Sequence, residues 1–116
     1  MIKAVFKCNP QGNISSFKIT GHAQSGPYGQ DIVCSAVSAI SIGTINSLQD
    51  VAGVQPQVQM NNEMGGYLEC QVNYSDIKEH DQVVAAVTLM DSCYQISTSI
   101  AANYSDFIQI TLDKSA

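Results

Sequence analysis

Arginine is absent from this 116-residue chain, and five lysines stand against ten acidic residues, for a formal net charge of −5. Binding to a nucleic-acid backbone needs basic groups to neutralise phosphate, so direct nucleic-acid binding is disfavoured. A basic polypeptide partner fits the charge better, because opposite charge speeds encounter. No low-complexity tract interrupts the chain, and apolar residues reach 45%, so disorder is not expected. The N-terminus lacks a continuous apolar stretch: lysines at positions 3 and 7 break it, so no secretory signal is expected. Residues 32–49 lack any charge. That length raises a membrane question, but the serines, threonine, asparagine and glutamine within it argue against insertion. None of the four cysteines (Cys8, Cys34, Cys70 and Cys93) belongs to a C-x-x-C pair. Without a secretory signal, free thiols in a reducing, cytoplasmic compartment are expected.

What is present reads as one domain over residues 1–116. Ile2, Ala4, Phe6 and Cys8 alternate with Lys3 and Lys7, which predicts a half-buried strand. The turn cluster Asn9-Pro10-Gln11-Gly12-Asn13 leads into a second strand over 14–20 with Phe17 and Ile19 inward, completing a hairpin. Asp31 is a good helix cap, and a helix from there to about Asp50 carries apolar residues around much of its circumference. Such a helix is expected to be buried on more than one side, within the domain or at a subunit interface. A second hairpin spans 56–61 and 66–73, with Leu68, Cys70 and Val72 inward. Ser75 or Asp76 caps a second long helix to about Asn103, whose apolar face includes Val83, Ala86, Met90, Cys93 and Ile96. A last strand over 106–112 points Ile108, Ile110 and Leu112 inward. The fold class is therefore α+β, with the order ββαββαβ and a sheet packed with two long helices.

Residues 21–38 stand out. Ten positions separate the turn glycine Gly66 from the expected cap at Asp76, whereas nineteen separate Gly12 from Asp31. The first half thus carries roughly nine residues that the scaffold does without, and spare ordered loop is often functional. His22 stands at the end of the second strand. Cys34 would be the third helical residue, where unpaired N–H groups and the helix dipole favour a thiolate. The two together make a nucleophile and base for covalent catalysis. Backbone N–H groups near the helix start, or that of Gly21, are candidates to bind an oxyanion. Against this stands the ordinary reading of Cys34 as a small buried hydrophobe and His22 as a strand-end residue. His80, within Lys78-Glu79-His80-Asp81, reads as surface. The loop lacks the lysine of a phosphate-binding loop, and His22, Cys34 and Asp31 lack a fourth metal ligand, so no cofactor or metal is expected.

The block Gly21-His22-Ala23, Ser25-Gly26-Pro27-Tyr28-Gly29 and Asp31-Ile32-Val33-Cys34-Ser35-Ala36-Val37-Ser38 closely resembles the signature of the bacterial ribosomal-processing cysteine proteases, the Prp family. The resemblance spans essentially the whole chain. It implies an endopeptidase that removes a short N-terminal extension from a large-subunit ribosomal protein, number twenty-seven, cutting after a pair of aromatic residues and before a small one. It also implies His22 as catalytic base and Cys34 as nucleophile, with Gly21, Asp31 and Ser38 shaping the site or binding substrate. Gly26, Pro27, Tyr28 and Gly29 would belong to a mobile loop over the site, and the protein would be a homodimer. Asp31 has three open roles: helix cap, partner of His22, or substrate contact. From a different class comes the alternative of a non-catalytic, ribosome-associated binding module, which would show no preferentially reactive cysteine.

Overall fold

The computed structural model describes residues 1–21, 28–61 and 66–114, with side chains for all of these except 28–31. Strand β1 (Ile2–Cys8) and strand β2 (Ile14–Thr20) form the first hairpin. Helix α1 (Tyr28–Asp50) follows, then strands β3 (Gln57–Asn61) and β4 (Tyr67–Gln71), a 3-10 turn at Tyr74–Asp76, helix α2 (His80–Asn103) and strand β5 (Ile108–Asp113). The ββαββαβ order is as expected.

The five strands form one sheet in the order β3-β4-β2-β1-β5, antiparallel except for the β1–β5 pair. Each helix is therefore a crossover between parallel strands. From β2 to β3 the chain passes over β4; from β4 to β5 it passes over β2 and β1. The two crossovers start from oppositely directed strands and move in opposite lateral directions. Given the right-handed rule for such connections, both helices land on the same face of the sheet.

That face is the apolar one. Register pairs Phe6 with Phe17 and Phe17 with Cys70, Ala4 with Ile19 and Ile19 with Leu68, and Ile2 with Ile108. All are buried and join one core with Val33, Val37, Ile45 and Leu48 of α1 and Ala86, Met90 and Cys93 of α2. Phe6 is fully buried, with ring centroids 5.7 Å from Phe17 and 5.1 Å from Tyr94. Each such side chain contributes about 1.5–3 kcal/mol by leaving water. The opposite face carries Lys3, Lys7, Lys18, Glu69, Gln71 and Gln109 and has no covering layer among the described residues. Helix α1 over Ile32–Asp50 is long and apolar enough to cross a bilayer, yet it supplies Val33, Val37, Ile45 and Leu48 to this core.

Several expectations need correction. Helix α1 begins at Tyr28, three residues before Asp31, so Asp31 is not its cap. Helix α2 begins at His80, not near Asp76, because the segment after Asn73 closes first as a 3-10 turn. The Asn73 side chain accepts from the Ser75 N–H and binds Asp76 at 3.0 Å, which spends the capping residues locally. Measured on the structure, Thr20 and Tyr28 are separated by the seven residues 21–27, and Gln71 and His80 by the eight residues 72–79. The two connections match, so the first half carries no spare length over the second. Ile96, expected on the apolar face of α2, is 42% exposed. Cys8 is only half-buried, because the β1–β2 register slips there: Lys7 pairs with Ser16 but Cys8 with Ile14. The extra residue, Ser15, makes a bulge that shifts the alternation. His80 is exposed, as expected.

Candidate active site

One cleft opens between α1 and the sheet at the end where β2 stops and β4 begins. It measures about 170 Å³ and is lined by Ile2, Ile19, Gly21, Cys34, Val37, Ser38, Ser41, Ile42, Met60, Gly66, Tyr67 and Leu68. Three residues singled out from sequence meet here: Gly21, Cys34 and Ser38. Cys34 and Ser38 share one helical face, four residues apart, and Ser41 and Ile42 continue it one turn on.

Gly21 reaches the cleft by backbone geometry. Its φ is +83°, a conformation that any side chain would strain, and a Cβ there would strike the carbonyl oxygen of Met1. Its amide donates to the carbonyl of Gly66 at 3.2 Å, tying the end of β2 to the start of β4. That single N–H is therefore committed to the fold and is not an oxyanion donor.

Cys34 is the seventh residue of α1, counted from Tyr28. The helix dipole is felt mainly within the first turn, and only the first four N–H groups lack helical partners. Cys34 thus lies beyond the first turn, not at the third helical position expected with Asp31 as cap. Cys8 is half-buried too but does not line the cleft, and Cys70 and Cys93 differ from Cys34 in burial. Burial, with the neighbouring Cys93 adding to it, pushes the Cys70 thiol up to about 12. Burial also raises Cys93, against hydrogen bonds from Thr44 and Ser97 that partly oppose the rise. Both are inert core thiols at neutral pH, whereas Cys34 is half-buried on the cleft wall. No disulfide joins any of the four cysteines.

The floor and walls were not anticipated from sequence. Ser41 is 2% exposed, and its hydroxyl donates to the Val37 carbonyl at 2.7 Å, so the floor presents little unmet polarity. Ile42, Met60 and Leu68 form apolar walls. The helical spacing 34, 38, 41, 42 was a readable signal for the α1 side; nothing local marked Met60 or Gly66, which arrive through strand pairing.

His22, Gly26 and Pro27 lie outside the described residues, as do the side chains of Tyr28 and Asp31. Tyr28 and Gly29 fall in the first turn of α1 rather than in the mobile loop expected to include them. Among the described residues no cluster of His, Cys, Asp or Glu could hold a metal ion.

The family model described as cysteine protease Prp matches residues 1–109. The chain is 31% identical over 111 residues to the ribosomal processing cysteine protease Prp of Bacillus subtilis, covering 96% of each. It is 30% identical to the protein of that name from Staphylococcus aureus over 67 residues, 58% of this chain and 63% of that one. Among solved structures, a Streptococcus mutans protein superposes with a TM-score of 0.87 at 31% identity, over 99% of this chain and 96% of that one. The S. aureus Prp solved with a substrate peptide has the same fold, with a TM-score of 0.75 at 21% identity, over 97% of this chain and all of that one. With a cleft that holds one partly exposed thiol and a match over nearly its whole length, the chain belongs to the ribosomal-processing cysteine protease Prp family.

Proposed function

We propose that this cysteine protease removes the short N-terminal extension of large-subunit ribosomal protein twenty-seven in the cytoplasm, with Cys34 as nucleophile and His22 as base. The observation that carries the reading is the position of Cys34 on the wall of the cleft it shares with Ser38 and Gly21, the residue before His22. In the reaction, His22 takes the thiol proton and the Cys34 sulfur attacks the scissile carbonyl. The tetrahedral intermediate collapses to a thioester as His22 protonates the leaving amine. Water then hydrolyses the thioester, releasing the extension and restoring the thiol.

The cleft supports a preference for aromatic side chains. An apolar cavity of about 150 Å³ holds a benzene ring, and this one is about 170 Å³ with Ile42, Met60 and Leu68 around it. The S. aureus relative, solved with a substrate peptide, supports a peptide as the ligand class. Asp31 is left with two roles, orienting His22 or contacting substrate. A homodimer is supported by α1, which presents an uncharged outer surface of Ile32, Ser35, Ala39 and Asn46 to solvent in the single chain.

The test is direct. A synthetic peptide of the extension, carrying two phenylalanines before the mature N-terminus, is incubated with the purified protein under reducing conditions. Cleavage after the second phenylalanine is expected, and Cys34→Ala should bind the peptide and leave it whole. A correctly folded wild-type protein that leaves the peptide uncut would overturn the reading.

A further inference from the structure

Strand β3 is an edge with unusual properties. Among the described residues it has a neighbour, β4, on one side only, and all five of its residues are exposed. Edge strands present a row of unpaired N–H and C=O groups, and proteins commonly guard them with charge, proline or a bulge. The sequence Gln57-Val58-Gln59-Met60-Asn61 has no charge and no proline, and its pairing with β4 runs without a register slip. The opposite edge, β5, ends in Asp113 followed by Lys114. Pro56 precedes β3, but within the strand no charge, proline or bulge blocks its outer edge.

The alternation of β3 indicates what pairs there. Val58 and Met60 stand opposite Cys70 and Leu68, on the face that carries the helices, yet they are 38% and 52% exposed. Met60 is also part of the Cys34 cleft wall. The edge and the cleft are therefore continuous through one residue.

We infer that β3 is the docking strand for the substrate backbone: an extended stretch of the peptide adds to its free edge as a sixth strand and passes over Met60 into the cleft. This rests on the protease reading above. Main-chain hydrogen bonds supply affinity in such strand addition, while alternate side chains supply specificity. At about 3.4 Å per residue, residues 57–60 of β3 span about 14 Å, enough to pair with about four residues of peptide. The peptide residues on the helix-bearing side would lie against Val58 and Met60, so apolar side chains are favoured at every second position.

The test uses the same extension peptide with one backbone N–H at a time replaced by N-methyl. Binding is measured by fluorescence anisotropy on full-length Cys34→Ala protein and cleavage on the wild type. Strand addition predicts a period of two: N-methylation at alternate residues weakens binding about tenfold, from the lost hydrogen bond and the added bulk, while the intervening positions change it little. Uniform tolerance, or sensitivity without alternation, overturns the proposal even if the peptide is cut normally. Alternation in binding with no cleavage by the wild type sustains β3 docking and sinks the protease reading instead. Failure of the unmodified peptide to bind overturns both. A concentration-dependent dimer that competes with the peptide for β3 would assign the edge to a second copy and overturn the inference.

Discussion

The amide of Gly21 donates to the carbonyl of Gly66 across 3.2 Å, and both glycines hold a φ of +83°. Two glycines with left-handed backbone thus close one end of the cleft that holds Cys34. Register explains their meeting, since Thr20 pairs with Tyr67 in the last rung of the β2–β4 ladder.

Gly21→Ala should be far more harmful than a surface glycine substitution. Left-handed backbone costs an alanine about 1–2 kcal/mol, and the new methyl must displace the carbonyl of Met1. Gly12→Ala bears the same backbone cost with nothing within 4 Å of its Cβ. Calorimetry should show the lower thermal midpoint for Gly21→Ala, and peptide cleavage should fall with it but not for Gly12→Ala. Equal midpoints would remove the Met1 contact as a cause.

Iodoacetamide at neutral pH should label Cys34 before Cys70 and Cys93. The latter two are buried to within 1% exposure, and burial holds their thiols neutral. Peptide mass mapping after short exposure reads the order. Labelling of Cys70 or Cys93 ahead of Cys34 in folded protein would contradict the assignment of the cleft thiol.

Stability should fall in alkali. The Cys70 thiol sits at about 12 in the folded protein against an ordinary 9.0. Below pH 9 neither state loses that proton, so the contribution is fully present. Between pH 9 and 12 the unfolded chain ionises and the folded one does not, so stability is lost as pH rises. The slope is about 1.4 kcal/mol per pH unit for one such group, and Cys93 acts in the same direction. Urea unfolding at pH 8, 9 and 10 should show a decline that Cys70→Ala makes shallower.

Ser41→Val should change specificity more than stability. Among the described residues the Ser41 hydroxyl bonds only to the carbonyls of Val37 and Ser38 in its own helix, so its loss orphans no described partner outside α1. The added methyl groups fill the cleft floor. Cleavage of a phenylalanine peptide should drop about tenfold, by the scale of overpacking a filled site, and that of a leucine-substituted peptide should drop less. An unchanged ratio between the two would place the aromatic ring elsewhere.

Phe6→Ala should cost about 3–5 kcal/mol, as large-to-small changes at fully buried aromatic positions do. Its ring touches Phe17 and Tyr94, joining β1, β2 and α2. A drop in thermal midpoint on the order of 10 °C is expected, and a loss within experimental error would show that the core closes the cavity.

The alternation correctly named Ile2, Ala4 and Phe6 of β1 and Leu68 and Cys70 of β4 as inward, because period-two burial is a local property; Cys8 departs from it at the bulge. Helix starts were less legible. Asp31 and Asp76 are both good capping residues, yet α1 begins before one and α2 after the other, since Asn73 captures the Ser75 amide and closes a separate turn. The misplaced start of α1 also put Cys34 in the first turn, whereas it is the seventh residue of the helix.

What the sequence determined by itself was the strand and helix order, the inward faces of the strands, and the Gly21 to Ser38 block that resembles a protease family. Those rest on short-range pattern: alternation, capping chemistry and fixed spacing. Which thiol lines the cleft, why Gly21 admits no side chain, and that Met60 on an edge strand borders the Cys34 cleft were decided only by tertiary structure. Each depends on which strands become neighbours, and a chain of 116 residues does not carry that register in any local window. It follows from two crossovers that place both helices on one face and bring β4 between β2 and β3.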